Sequence, residues 1–140
     1  MNSALRTWQK ILMLLPACLM SISASTGIEA KPATLDVLNK LQPGLWQLKT
    51  FGDQADRQMC IDNGRKFIQI RHAGESCNQF IVEDTATAAT VQYTCRSTGY
   101  GRTRIRFERP ALVQIDTQGI QRGLPFDMKI EARRIASCGR

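Results

Sequence analysis

Alternating arginines between residues 102 and 106 form the pattern in this sequence that best suits ligand binding. Arg102, Arg104 and Arg106 fall on one face of a predicted strand, because successive side chains of a strand point to opposite faces. Ile105 and Phe107 fall on the other face, which we expect to be buried. The planar guanidinium group binds phosphate and carboxylate through paired N–H donors. The arginine face is therefore a candidate anion-binding surface.

The preceding strand is expected to add a fourth arginine. Placing Tyr93 opposite Phe107 keeps the apolar face continuous and brings Arg96 opposite Arg104. Like charges directly opposite each other destabilise a sheet, so a bound anion or nearby acids must offset them. The nearby acids are Glu108, Asp116 and Glu131, and an ordinary solvated face is the alternative. The predicted anion-binding residues are Arg96, Arg102, Arg104 and Arg106.

Catalytic chemistry has less support in the sequence. His72 is the only histidine, and it lies in a predicted loop where we expect it to be solvated. A nucleophilic enzyme needs a nucleophile, a base within reach and a group that orients the base. Glu83 and Asp84 are adjacent acids at a predicted hairpin turn, where acidic residues are common for structural reasons. We predict a non-enzymatic protein with no catalytic residue, metal or cofactor, and an unrecognised secreted enzyme is an alternative.

A second binding hypothesis is a cup that carries a small apolar ligand or a lipid. Small β-barrels can hold one such ligand among inward-pointing side chains. The residues that could line the cup are Trp46, Leu48, Phe80, Phe107, Phe126 and Met128. In a chain of this size the same residues can simply form the core.

The charge of the chain indicates its expected partners. The net charge is +7 at pH 7, so anionic envelope components or lipids are the expected partners. Nucleic acid is not expected, because the sequence carries an export signal and has only two tyrosines and few other aromatic residues for stacking. The sequence gives no oligomeric state.

The N-terminal residues have the pattern of a secretory signal peptide. Arg6 and Lys10 precede an apolar run over residues 11–22, and small residues follow at 23–25. The run is shorter than the roughly 20 residues that a transmembrane helix needs, and we predict no transmembrane segment. We predict a cleaved signal peptide over residues 1–30 and a periplasmic or secreted protein. Lipid attachment at Cys18 is the alternative.

Four further cysteines predict two disulfides in an oxidising compartment. Placing Phe80 opposite Tyr93 makes one face of a hairpin consistently apolar, and the same register puts Cys77 and Cys95 on opposite faces. A slip by one residue would expose the apolar set. Four cysteines allow three connectivities, and this register disfavours the one that contains Cys77–Cys95. Of the remaining two we predict Cys60–Cys77 with Cys95–Cys138. No Cys-x-x-Cys spacing is present, so the cysteines do not predict a metal site.

The hydrophobic period predicts the elements that carry these residues. Leucines at helical spacing predict a short amphipathic helix over 32–42, and one or two helical turns are expected around 67–70. From residue 44 the period is two, which predicts seven antiparallel strands at 44–50, 57–61, 79–83, 89–96, 102–108, 112–120 and 126–135. The predicted fold is all-β, in a single domain over residues 31–140. An open curved sheet, a sandwich and a barrel-like cup all fit this number of strands.

Several short motifs together resemble a known family. They are Pro43-Gly44-Leu45-Trp46, Met59-Cys60-Ile61, Cys77, Tyr93-Thr94-Cys95 and the C-terminal stretch 132–138. Their order resembles that of the bacterial periplasmic domain-of-unknown-function 3617 family, in which an exported chain opens a strand with Pro-Gly-Leu-Trp. The resemblance implies a β-rich exported domain and assigns no catalytic residue.

Overall fold

Seven antiparallel strands form one open sheet in the computed structural model, which describes residues 33–52 and 55–139. Along the chain the strands are β1 (Gly44–Thr50), β2 (Arg57–Ile61), β3 (Cys77–Asp84), β4 (Ala88–Cys95), β5 (Gly99–Arg109), β6 (Leu112–Gln121) and β7 (Leu124–Ala136). The predicted β-rich fold class is confirmed, and among the three predicted arrangements it is the open sheet that forms. The predicted signal peptide and Cys18 lie outside the described residues.

The strand order across the sheet is β2-β1-β7-β6-β5-β4-β3. β3 to β7 form a meander in which each strand pairs with the next along the chain. β1 then pairs with β7 on one side and with β2 on the other. β2 and β3 are therefore the two edge strands.

The inner face of the sheet carries the core. Trp46 and Leu48 on β1 are fully buried, and Ile105, Ile115 and Ile130 continue the buried layer across β5, β6 and β7. This strict alternation is what a sheet with one buried and one solvated face requires. The face that carries Arg102, Arg104 and Arg106 is the solvated one, which we call the outer face.

The predicted helix is much shorter than residues 32–42. It forms only over Asp36–Asn39, designated α1, and it does not begin earlier because Leu35 directly before it has a left-handed backbone with a φ of 54°. The Asp84 carboxylate of β3 accepts hydrogen bonds from the backbone N–H groups of Thr34 (2.8 Å) and Leu35 (3.0 Å). This contact with the sheet decides where the helix begins, and sequence periodicity does not report it.

The segment between β2 and β3 covers part of the inner face. It contains two 3₁₀ helices, Gly64–Phe67 and Ile70–His72, where helical turns were predicted. Phe67 is fully buried and meets the Trp46 ring edge-on, with 5.2 Å between ring centroids. Thr103 of β5 donates a hydrogen bond to the Ile68 carbonyl at 2.5 Å. Apolar and polar contacts together hold the segment against the sheet.

The register of β3 against β4 differs by one residue from the predicted register. Phe80 lies opposite Gln92, and Ile81 lies opposite Val91. The prediction assumed that Phe80 would be buried, but β3 is an edge strand and Phe80 is 70% exposed on the outer face. An irregularity between Ile81 and Glu83 then shifts the register for the rest of the strand.

The one-residue difference also changes the disulfides. Cys77 lies directly opposite Cys95, and the two form a disulfide. The other disulfide joins Cys60 to Cys138. The predicted pairs Cys60–Cys77 and Cys95–Cys138 are therefore wrong, because they depended on the assumption that Phe80 faces the core.

The register of β4 against β5 is also different from the prediction. Tyr93 lies opposite Gly101 rather than Phe107, because the two strands are joined by a tight turn at residues 96–98. Gly101 is a residue of β5, and the Tyr93 ring lies over it. A Cβ atom at position 101 would overlap the Tyr93 hydroxyl. The glycine is needed for this close approach.

Candidate ligand-binding surface

Three of the four predicted anion-binding arginines share the outer face. Arg102, Arg104 and Arg106 are all exposed there, on one strand. Arg96 is exposed in the turn that follows β4, and it does not lie opposite Arg104. The predicted cluster of four arginines is therefore reduced to three. The neighbours of each of the three on the adjoining strands decide what it can bind.

Arg104 is neutralised within the sheet. Its Nε lies 3.1 Å from the Glu83 carboxylate of β3 and its Nη2 lies 3.3 Å from it, a two-pronged ion pair. The Thr90 hydroxyl donates to the same carboxylate at 2.6 Å. The hydrogen bond from Arg104 is the main reason why the pKa of Glu83 is lowered, and the Glu83 carboxylate raises the pKa of Arg104. Asp116 lies opposite Arg104 on β6 and adds to this effect.

Arg106 lies between Ala88 on β4 and Gln114 on β6. The next residue across the sheet is Glu131, which accepts hydrogen bonds from Gln114 at 3.4 Å and from Arg133 at 3.2 Å. These two hydrogen bonds lower the pKa of Glu131. The acid nearest to Arg106 along this row is thus already engaged by other side chains.

Arg102 has a different environment, with neutral side chains on both sides. It lies between Gln92 on β4 and Gln118 on β6, and Asp127 on β7 follows beyond Gln118. We call these four residues the central row. Within the described part of the chain, neither Arg102 nor Asp127 forms an ion pair or a hydrogen bond through its side chain.

Two adjoining grooves meet at the central row. One has a volume of about 400 Å³ and the other about 240 Å³. The residues that line both grooves are Arg102, Gln118 and Asp127. The larger groove continues towards Tyr100 and Ile120, and the smaller one towards Asp116 and Lys129. The surface around Arg102 therefore offers a concave site with an apolar end and a charged end.

His72 is a core residue, so the prediction that it is solvated is wrong. It is 1% exposed, and its Nδ1 lies 3.2 Å from the Tyr93 hydroxyl. Its Nε2 lies 3.3 Å from the Thr98 carbonyl, which can only accept, so Nε2 carries the proton and Nδ1 accepts from Tyr93. Burial is the main cause that raises the pKa of the Tyr93 phenol. His72 therefore serves to satisfy buried polar groups between the 3₁₀ segment and the sheet.

The residues predicted to line an apolar cup do not line one cavity. Trp46, Leu48 and Met128 belong to the buried core cluster, together with Phe67 and Ile68 of the segment between β2 and β3. Phe107 and Phe126 are half-buried at its margin, and Phe80 is on the outer face. The sheet is open, and its inner face is occupied by the protein's own side chains. The arrangement favours a structural core over a ligand cup.

The fold and the surface together define a disulfide-bonded, single-sheet domain with a buried inner face and a polar outer face that is grooved at Arg102. The family described as "Protein of unknown function (DUF3617)" matches residues 41–138, and the chain belongs to this family. This confirms the resemblance drawn from the sequence motifs. The comparison with curated proteins found no match. Among the described residues, no helix is both long enough and apolar enough to cross a membrane.

Proposed function

We propose that this protein is an exported, non-enzymatic domain that binds an anionic component of the bacterial cell envelope through the outer face of its sheet. The observation that carries the proposal is the exposed Arg102, which has only neutral side chains opposite it and lies where two grooves meet. Arg106, four residues further along the same strand, adds a second positive charge on this face. Guanidinium groups bind phosphate and carboxylate oxygens well in such settings.

The disulfides support the location. Two disulfides among four cysteines indicate an oxidising, extracytoplasmic compartment. The N-terminal pattern of charge, apolar run and small residues suits export to the periplasm or secretion. A basic protein in that compartment meets anionic lipid headgroups and other polyanions.

Binding to anionic vesicles tests the proposal. We expect the oxidised protein to sediment with vesicles that contain phosphatidylglycerol at low salt, and to be released as salt rises. The double variant Arg102→Gln/Arg106→Gln should lose this binding. Arg104 is left unchanged because Glu83 already neutralises it.

The matched control is Arg96→Gln/Arg122→Gln, which removes the same charge from two exposed turn residues off the outer face. We expect it to retain most of the binding. Equal losses in both double variants would mean that only net charge matters. The proposed function would be overturned if binding to the vesicles did not change with salt concentration or in the Arg102→Gln/Arg106→Gln variant.

A further inference from the structure

We propose that the central row binds a zwitterionic group that carries a phosphate and a primary amine, as in a phosphoethanolamine unit. This inference rests on the proposed function, because it uses the same outer face and names what that face recognises. The residues that would make the contacts are Arg102, Gln118 and Asp127, the three that line both grooves.

Opposite charges are separated along the central row. Arg102, Gln118 and Asp127 lie on the adjacent strands β5, β6 and β7, at paired positions. Neighbouring strands are about 4.8 Å apart, so the backbones of Arg102 and Asp127 are about 10 Å apart. Both side chains are exposed, and a neutral amide lies between them. A cationic and an anionic contact are thus offered side by side on one concave surface.

The neighbouring row shows that this separation is not a general feature of the face. Two residues further along the same strands, at the next position on the outer face, Asp116 lies directly between Arg104 and Lys129, and Arg104 forms an ion pair with Glu83. Charges in that row have opposite charges next to them. In the central row, Arg102 has neutral cross-strand neighbours, and neither it nor Asp127 forms an ion pair within the described residues. Besides the hydrogen bond from Arg104, the charge of Arg102 helps to lower the pKa of Glu83, but the Arg102 guanidinium makes no hydrogen bond to that carboxylate and remains available to a ligand.

The chemistry of the three side chains selects the ligand class. The Arg102 guanidinium can donate two parallel hydrogen bonds to phosphate oxygens. The Asp127 carboxylate only accepts, so it suits an ammonium group that has N–H donors. Gln118 has both an N–H₂ donor and a carbonyl acceptor, so it can contact either part of the ligand. A primary amine suits this site better than a quaternary one, which has no N–H.

The apolar end of the larger groove indicates how such a ligand would continue. Tyr100, which is 51% exposed, and Ile120 line this end. These side chains could contact the hydrocarbon region next to a lipid headgroup. The same head chemistry also exists in soluble phosphoethanolamine, and experiment must separate the two sources.

Titration of the oxidised protein with phosphoethanolamine tests the inference, with isothermal calorimetry as the readout. We expect saturable binding, and a loss of about ten- to a hundredfold in affinity in Arg102→Gln and in Asp127→Asn, because each removes a charged hydrogen-bond partner. Arg96→Gln, which removes the same charge from an exposed turn residue off the outer face, is the matched control and should bind normally. Unchanged thermal unfolding of each variant shows that the sheet is intact.

The affinities of phosphocholine and inorganic phosphate, compared with that of phosphoethanolamine, test whether the site recognises both charges of the ligand. Phosphocholine should bind at least about tenfold more weakly than phosphoethanolamine, because its quaternary ammonium cannot donate to Asp127. If inorganic phosphate binds as tightly as phosphoethanolamine and Asp127→Asn has no effect, the site recognises an anion alone. That result would overturn the zwitterion and leave the proposed function standing. If none of the probes binds, the zwitterion is also overturned, and the vesicle experiment decides the proposed function separately.

Vesicles distinguish the two sources of the group. Phosphatidylcholine vesicles doped with phosphatidylethanolamine should retain the protein through Asp127 if the ligand is a lipid headgroup, and Tyr100→Ser should weaken this retention. Binding of soluble phosphoethanolamine without retention on these vesicles would assign a soluble ligand to the same site.

Discussion

Arg102 and Arg104 are two residues apart on one face of β5, and their neighbours give them different roles. Arg104 forms an ion pair with Glu83 across the intervening strand β4, so its charge is largely compensated within the sheet. Arg102 has glutamines on both sides and no ion pair among the described residues. The type of residue is the same at both positions, and the cross-strand partners decide which one can bind a ligand.

The Glu83–Arg104 ion pair predicts a dependence of stability on pH. The folded pKa of Glu83 is lowered, so its contribution is complete above the unfolded pKa of about 4.5 and is lost as pH falls through the folded value. Glu83→Gln should therefore reduce the loss of stability between pH 6 and pH 3 by up to about 1 kcal/mol, the usual range for an exposed pair. Urea unfolding midpoints at several pH values measure this. Glu108→Gln on β5 is the control, and identical pH profiles for wild type and Glu83→Gln would contradict the prediction.

Tyr93 predicts a larger effect, because its hydroxyl is buried. Tyr93→Phe removes the donor to His72 Nδ1 and leaves a buried acceptor without a partner, which costs about 1–3 kcal/mol. Tyr100→Phe is the matched control, since that hydroxyl is at an exposed position and its loss should change stability by less than about 0.5 kcal/mol. Urea unfolding at pH 7 measures both. Equal effects for the two variants would show that the His72–Tyr93 contact does not stabilise the fold.

At the scale of elements, the two disulfides hold the sheet in different ways. Cys77–Cys95 links β3 to β4 within one hairpin, across 18 residues of sequence. Cys60–Cys138 joins the edge strand β2 to the chain beyond β7, across 78 residues. The second disulfide therefore closes the non-consecutive part of the topology, in which β1 lies between β2 and β7.

The difference in loop length predicts a difference in stability. On the chain-entropy model, the 18-residue loop contributes about 3 kcal/mol and the 78-residue loop about 4.5 kcal/mol. Cys60→Ser/Cys138→Ser should therefore destabilise the protein more than Cys77→Ser/Cys95→Ser, as measured by denaturant unfolding. Non-reducing peptide mapping of the wild type is the control and should recover the pairs Cys60–Cys138 and Cys77–Cys95. The opposite order of stabilities would mean that local strain or residual unfolded structure outweighs loop length.

At the scale of the whole molecule, the two faces of the sheet have different roles: one forms the core and the other is exposed. The inner face is committed to the core, with the 3₁₀ segment and α1 packed against it. The outer face has no described element covering it and bears alternating charged and amide side chains. An antiparallel sheet with one solvated face can present a ligand site without disturbing its core. The vesicle and calorimetry experiments above both address this outer face.

Part of this arrangement could be predicted from the sequence. The period of two places Arg102, Arg104 and Arg106 on one face and Ile105 on the other, because alternation is a local property of an extended chain. The β6–β7 register is also local. Arg122 and Gly123 have positive φ values of 51° and 81° in a two-residue turn, and such a turn fixes the pairing of its strands. Gln118 opposite Asp127 follows from that turn, although we did not predict it.

Only the tertiary structure decided the rest. Whether Phe80 is buried depends on β3 being an edge strand, and that one fact sets the register that brings Cys77 opposite Cys95. The burial of His72 depends on the 3₁₀ segment lying against β4, and the pairing of β1 with β7 brings Cys60 to Cys138. Sequence pattern determines which way a side chain points within its own strand. Which strand lies next to it is set by contacts between distant residues, and these decide disulfides, partners of charges and the shape of the site.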